Sequence, residues 1–192
     1  SFAEAIACYE LILSNYPSSI KARDALFNIG LCYEKMKAYD KMAESQERYA
    51  EAYPDAKEVE ALLFSSAKYF LEGNRPDRAK KAFENFVRRF PGSNGEIEAR
   101  YRVAELVLKE NDKRAAESAL DMLIQRNEAL RPIGRNNDYF AGEAAYQIAE
   151  MARVRFEAVE FRLPAKVMAD AQKEKADLMR KTIESYTRVV QL

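Results

Sequence analysis

Residues Arg23 to Pro54 read RDALFNIGLCYEKMKAYDKMAESQERYAEAYP, and residues 60–91, EALLFSSAKYFLEGNRPDRAKKAFENFVRRFP, repeat the pattern 37 residues on. Tyr16-Pro17, Tyr53-Pro54 and Phe90-Pro91 close successive copies at that step. The same step links Ala5, Met42, Ala79 and Ala116. It also links Ile12, Tyr49, Phe86 and Leu123, then Phe27, Phe64 and Tyr101, and the small residues Gly30, Ala67 and Ala104. Recurrence in so many columns marks a repeat protein, in which each unit buries its apolar face only against its neighbours.

Each unit holds two helical stretches. Ala22, Leu26, Ile29, Cys32, Tyr33 and Met36 keep the i, i+3, i+4, i+7 spacing of one amphipathic helix face. A break near Lys37-Ala38 precedes a second helix from about Tyr39 to Tyr53, which Pro54 stops because proline has no amide to continue the bonding. In the next unit the break is Gly73-Asn74-Arg75-Pro76, with Gly suited to a helix C-terminus and Pro to a first turn. Mid-helix Gly30, with Ala67 and Ala104, predicts close approach of the paired helices. Ala79 and Ala116 are expected as the facing small residues, with bulkier Met42 as an exception.

Composition agrees with an all-α chain and narrows its chemistry. The 192 residues carry 31 Lys+Arg against 31 Asp+Glu, with no His, no Trp, two Cys, six Gly and six Pro. Without imidazole, His-centred triads and His-ligated zinc sites are impossible within the chain. A formal net charge of zero lacks the basic excess that usually announces nucleic-acid binding. With 32% charged and 48% hydrophobic residues the chain is folded and well solvated. No apolar run approaches the roughly 20 residues of a membrane span. Cys8 and Cys32 sit among apolar neighbours and are expected as buried thiols, a disulfide between them being the alternative. The opening SFAEAIACYE and the closing TRVVQL read as helix interiors. The chain is therefore expected to be a piece of something longer, with a truncated first repeat and continuation past Leu192.

These residues resemble the tetratricopeptide repeat. Leu26 stands at the family's Trp column, Ile29-Gly30 at its Leu-Gly pair, Tyr33 at its first-helix aromatic, Tyr39 at the aromatic opening the second helix and Pro54 at its closing proline. Residues 60–91 match through Ala67, Phe70, Ala79, Phe83 and Pro91, and Phe2, Ala5, Tyr9 and Pro17 look like the second helix of another copy. The resemblance implies a right-handed superhelical solenoid of antiparallel helix pairs. It divides the chain into repeats over 1–127, an inserted loop over 128–138 (EALRPIGRNND), and an irregular unit over 139–192. In that unit Ala144, Ala145, Tyr146, Ala149 and Ala152 look like a first helix. The final hairpin is some twenty residues longer than a plain unit if Tyr186 matches Tyr9, with its break at Arg162-Leu163-Pro164. The charged stretch AKVMADAQKEKADLMRK is then either a solvated arm or a docking arm. The 37-residue step, against the family's usual 34 or so, and the motif Tyr16-Pro17-Ser18-Ser19 look like bacterial cell-envelope members serving outer-membrane assembly, the Tol–Pal system or gliding motility. That likeness implies the periplasm, with any lipid anchor or export signal outside this stretch, and the cytoplasm as the alternative.

The resemblance also implies a function: a non-catalytic scaffold that binds a protein or peptide segment on a concave face lined by the first helices. Phe27, Phe64, Tyr101 and Tyr146 share one first-helix column, where they either cradle a peptide or pack between helices. Beside them Asn28, Ser65, Arg102 and Gln147 are polar, and Leu31, Lys68, Glu105 and Glu150 share the face. Lys68 and Arg102 mixed with Glu98, Glu105 and Glu150 do not suit a strongly anionic tail. No catalytic residue, metal ligand or cofactor motif is expected: there is no phosphate-gripping Gly loop, nucleophile elbow or Cys/His pair. A nucleic-acid-binding helical repeat is the alternative, resting on Arg75, Arg78, Lys80 and Lys81, which otherwise read as a solvated turn. Homo-oligomerisation is left open by the sequence.

Overall fold

A computed structural model describes residues 1–160 and 165–191, and they are helical with no strand among them. They form two compact units, Ser1–Pro91 and Gly92–Leu192. The first holds α1 (Phe2–Asn15), α2 (Ile20–Lys35), α3 (Tyr39–Ala52), α4 (Val59–Glu72) and α5 (Pro76–Arg89). The second holds α6 (Glu96–Lys109), α7 (Lys113–Leu130), a 3-10 turn (Arg131–Ile133), α8 (Asp138–Ala158) and α9 (Ala165–Gln191). Within each unit every helix packs on the next, and in the second α6 also touches α8. Each unit is a run of consecutively packed helices of the all-α class that the resemblance implied, and the second ends in the long pair α8 and α9. The Arg162-Leu163-Pro164 break falls outside the described residues.

The 37-residue step is a repeat of backbone conformation as well as of composition. Lys37, Asn74 and Asn111 stand at equivalent positions between first and second helices, and all three are left-handed, at φ 54, 55 and 65. At the first two, the amides of Lys37 and Ala38 donate to Glu34 and Tyr33 carbonyls, and those of Asn74 and Arg75 to Leu71 and Phe70. These paired bonds close the helix in a Schellman turn. Gly73 caps the C-terminus of α4 as expected, and the left-handed residue is Asn74 after it. Gly73 has φ −76, and a Cβ there would stand 3.0 Å from the backbone N of Asp40, so close approach explains the glycine. The second helices close just as regularly. Tyr16, Tyr53 and Phe90 have φ −137, −130 and −126, and each amide donates to a carbonyl four residues back at 2.9 Å. Pro17, Pro54 and Pro91 follow and block continuation.

The fourth position in that column is Asn127, and there the helix continues, because Glu128 retains the amide that proline lacks. Asn127 is fully buried. Its Nδ2 donates to Asp138 Oδ1 at 2.9 Å and its Oδ1 accepts the Asn137 amide at 2.6 Å, so it ties α7 to the start of α8. Residues 128–138 thus hold the last turn of α7, the 3-10 turn and left-handed Gly134 before α8 opens. Small residues let helices meet closely here as well: Ala141, Ala144, Ala145, Ala149 and Ala152 are all buried along one face of α8. At Gly30 the facing small residue is Ser45, whose Oγ a Cβ would meet at 3.3 Å, rather than Met42. Both cysteines are free, and Cys8 is exposed, which corrects the expectation of two buried thiols. The face of α1 that carries it is uncovered within this unit.

The N-terminus of α6 is held by a fully buried carboxylate. Glu96 accepts from Arg126 Nε at 2.8 Å and Nη2 at 3.0 Å, from Arg100 Nε at 2.8 Å, and from the Gly92 amide at 2.5 Å. Burial alone would raise its pKa, but bonds from Arg126, the Gly92 amide and Arg100 stabilise the anion and hold it at about 2. A carboxyl whose folded pKa lies below its ordinary value of 4.5 adds stability above pH 4.5, and that stability is lost as pH falls toward 2. The Glu96→Gln protein should therefore melt lower at neutral pH, by on the order of 3 kcal/mol as a broken buried pair. The difference from the parent should shrink in thermal melts as pH falls through that window. Lys37→Gly should stabilise by about 0.5–1 kcal/mol, because only glycine adopts a positive φ without strain. By contrast Gly73→Ala should destabilise by roughly 1–3 kcal/mol, because backbone must move. Both are read from denaturant midpoints.

Candidate functional site

In the first unit the first-helix column is part of a shallow apolar site. Phe27 and Leu31 of α2 stay 43% and 41% exposed, above a cavity of about 70 Å³. Leu26, Gly30, Met42, Ser45, Gln46, Tyr49 and Leu62 complete its lining, so α3 and α4 contribute as much as α2. The Tyr49 ring lies edge-on to Phe27, with centroids 6.1 Å apart. Its phenol donates to Glu58 Oε1 at 2.6 Å and accepts from Arg23 Nε at 2.7 Å, while Arg23 Nη2 reaches Glu58 Oε1 at 2.6 Å. Bonds from Tyr49 and then Arg23 hold the Glu58 carboxyl at about 2, so Arg23 and Glu58 stay charged across physiological pH and, through the neutral phenol, fix the ring.

In the next copy of the repeat, Phe64 of the same column and Ser65 beside it have partners within the protein. Phe64 is half-buried against Phe83 and Phe86, with centroids at 6.1 and 5.1 Å, and Lys68 Nζ lies 5.5 Å from its ring centre. Ser65 Oγ sits 3.1 Å from Gln46 Oε1 and 3.0 Å from the Leu62 carbonyl, donating its one proton between them. Asn28 is half-buried on α2.

In the second unit the same columns go further into the core. Tyr101 is buried against Phe140, centroids 5.4 Å apart, and burial followed by nearby Glu105 and Glu143 pushes its phenol up to about 12. Arg102 stacks over Tyr101 and Phe140, at 6.0 and 5.5 Å, and its Nη1 donates to Glu105 at 2.8 Å. Gln147 joins Tyr101, Glu105, Ala104, Leu108, Lys109 and Leu120 around a cavity of about 220 Å³. Tyr146 remains 45% exposed and meets Tyr186 of α9 edge-on at 6.2 Å, and Tyr186 donates to Glu150.

The structure therefore brings Phe27 and Leu31 together at an open apolar site, and leaves Tyr146 exposed on α8. It draws Tyr101 into the core and gives Ser65, Arg102, Glu105 and Gln147 partners of their own. The second-helix residues Met42, Ser45, Gln46 and Tyr49 were not among the site residues that the sequence suggested. Gln46 had a signal: its equivalents 37 and 74 residues on, Phe83 and Leu120, are buried and apolar. Among the described residues, no group of three or more His, Cys, Asp or Glu is placed to hold a metal ion, and no helix is long and apolar enough to cross a membrane.

A family model described as tetratricopeptide repeat matches residues 24–56 and again 61–93. That stretch, α2 to α5, is similar to two tetratricopeptide repeats, a class whose members generally mediate protein–protein interaction and are typically non-catalytic. No curated protein matches the chain.

The burial pattern separates surface from core within one column. Tyr101→Ala should cost about 3–5 kcal/mol and Leu31→Ala less than about 1 kcal/mol, with Phe27→Ala between them, as read from denaturant unfolding.

Proposed function

We propose that this protein is a non-catalytic scaffold that docks a segment of a partner protein on its first-helix faces. The observation that carries this reading is the site beneath Phe27 and Leu31. There, two large apolar side chains stand exposed over an apolar cavity, on a stretch that matches the tetratricopeptide repeat. Exposed aromatic and aliphatic groups on a rigid frame give contact area at little entropic cost. The partner segment is mixed apolar and polar, since Arg102 is offset by Glu105 and Glu98 on its own helix. On the same footing we read residues 139–191 as an enlarged repeat of the same kind. The edge-on pair Tyr146–Tyr186 supports this, because with Tyr186 in the Tyr9 column it parallels the edge-on pair Phe64–Phe83.

We place the scaffold in a bacterial envelope assembly, in the periplasm. The support for this is the 37-residue step and the Tyr16-Pro17-Ser18-Ser19 motif. The two arginines of the basic group that favoured nucleic acid are engaged internally: Arg78 pairs with Glu44 and with Glu47 at 3.3 Å, and Arg75 approaches Asp40 at 3.9 Å.

Leu31→Glu is the cleanest probe, because Phe27 also packs on Tyr49. The tagged parent and the Leu31→Glu protein should be used as baits in the native host, with melting temperatures matched. The variant should lose a protein that the parent retains, and identical captured sets would sink the reading. Cell fractionation of the untagged protein tests the compartment, and recovery with the soluble cytoplasm would refute it.

A further inference from the structure

The turn Pro91-Gly92-Ser93-Asn94-Gly95-Glu96 carries an Asn-Gly dipeptide in a setting that goes beyond the scaffold reading. Asn94 is exposed, and Gly95 is the N-cap of α6 at φ −87. As the N-cap it contributes its carbonyl to the helix, accepting from Ala99 at 2.9 Å, while its own amide has no acceptor among the described residues. Without a Cβ, Gly95 offers little hindrance to approach of its nitrogen. The side-chain amide of Asn94 is oriented from the other side. Arg135, in the connection leading to α8, donates from Nη1 to Asn94 Oδ1 at 2.5 Å. A guanidinium has donors only, so the atom facing it is the oxygen, and the amide carbonyl is polarised.

We propose that Asn94 is a site of spontaneous deamidation assisted by Arg135. The Gly95 nitrogen attacks Asn94 Cγ, its proton passes to water, and negative charge builds on Oδ1 opposite the guanidinium. Nδ2 then takes a proton from water, the Cγ–Nδ2 bond breaks and ammonia leaves, giving a five-membered succinimide. Water opens that ring at one carbonyl to give aspartate, or at the other to give isoaspartate. No oxidant or reductant takes part. The aspartate product places a carboxylate against Arg135 and exchanges a hydrogen bond for an ion pair. The isoaspartate product adds a methylene to the main chain one residue before the α6 cap and two before buried Glu96, whose bond to the Gly92 amide spans that turn.

Trypsin cleaves after Arg89 and Arg100, so residues 90–100 leave as one peptide whose Asn, Asp and isoAsp forms separate by chromatography with mass detection. The intact folded chain is aged at neutral pH and physiological temperature beside Arg135→Gln and Gly95→Ala, with circular dichroism confirming the fold of each. The parent should convert steadily, Arg135→Gln several-fold more slowly and Gly95→Ala hardly at all, while parent and Arg135→Gln should convert equally in denaturant. Arg135→Lys, which keeps the charge but not the fork, should fall between and serves if Arg135→Gln does not fold. An unconverted folded parent overturns the site. Equal or faster conversion in folded Arg135→Gln overturns the assistance, because the hydrogen bond would then restrain the side chain.

Discussion

An amphipathic helix of 14 residues cannot hide its apolar stripe by itself, and every other feature follows from how this chain ends one such helix and turns back into the next. Two turns solve the problem at a fixed step. A left-handed residue at 37, 74 and 111 closes the first helix of each pair, and an aromatic residue followed by proline at 16, 53 and 90 closes the second. Each ends its helix by removing or redirecting backbone bonds, so helix lengths are set by backbone chemistry before packing selects partners. Where the proline is missing, after Asn127, the helix runs on and a buried side-chain amide takes over the work of joining it to its neighbour.

With the ends fixed, packing and charge settle each pair. Gly30 admits Ser45, and the alanines of α8 admit its neighbours. Alternate helices are tied by ion pairs, Glu10 to Arg48, Glu44 and Glu47 to Arg78, and Glu117 to Lys181, while Glu117 also reaches Arg155 on the next helix. Such exposed pairs add little stability singly, but they occupy charges that would otherwise read as a binding surface. Buried Glu96 is different in kind. Three groups satisfy its carboxylate in a setting where an unpaired charge is costly, and removing any partner exposes that cost.

The same packing divides one sequence column into two fates. Phe27 keeps nearly half its surface because α2, α3 and α4 leave a cavity under it, whereas Tyr101 is covered by Phe140 from the enlarged start of α8. Identical spacing along the chain therefore does not give identical exposure, since exposure depends on what the next unit brings over the ring. The polar column shows the same effect: Ser65 turns to Gln46 and Arg102 to Glu105.

The repeat, its step, the helix pairs and the proline stops were legible in the sequence because each rests on local chemistry: backbone amides, helical periodicity and the size of a side chain. The enlarged last hairpin was legible too, as a mismatch in length. Three things waited for the tertiary structure: the close approach of Gly73 to Asp40, the exposure of Cys8, and the share of α3 in the apolar site. Each depends on contacts between residues far apart in the chain, such as Asp40 against Gly73 or Met42, Ser45 and Gln46 beneath Phe27. Periodicity tells which face of a helix is apolar, and only the packed neighbours decide how much of that face remains open to a partner.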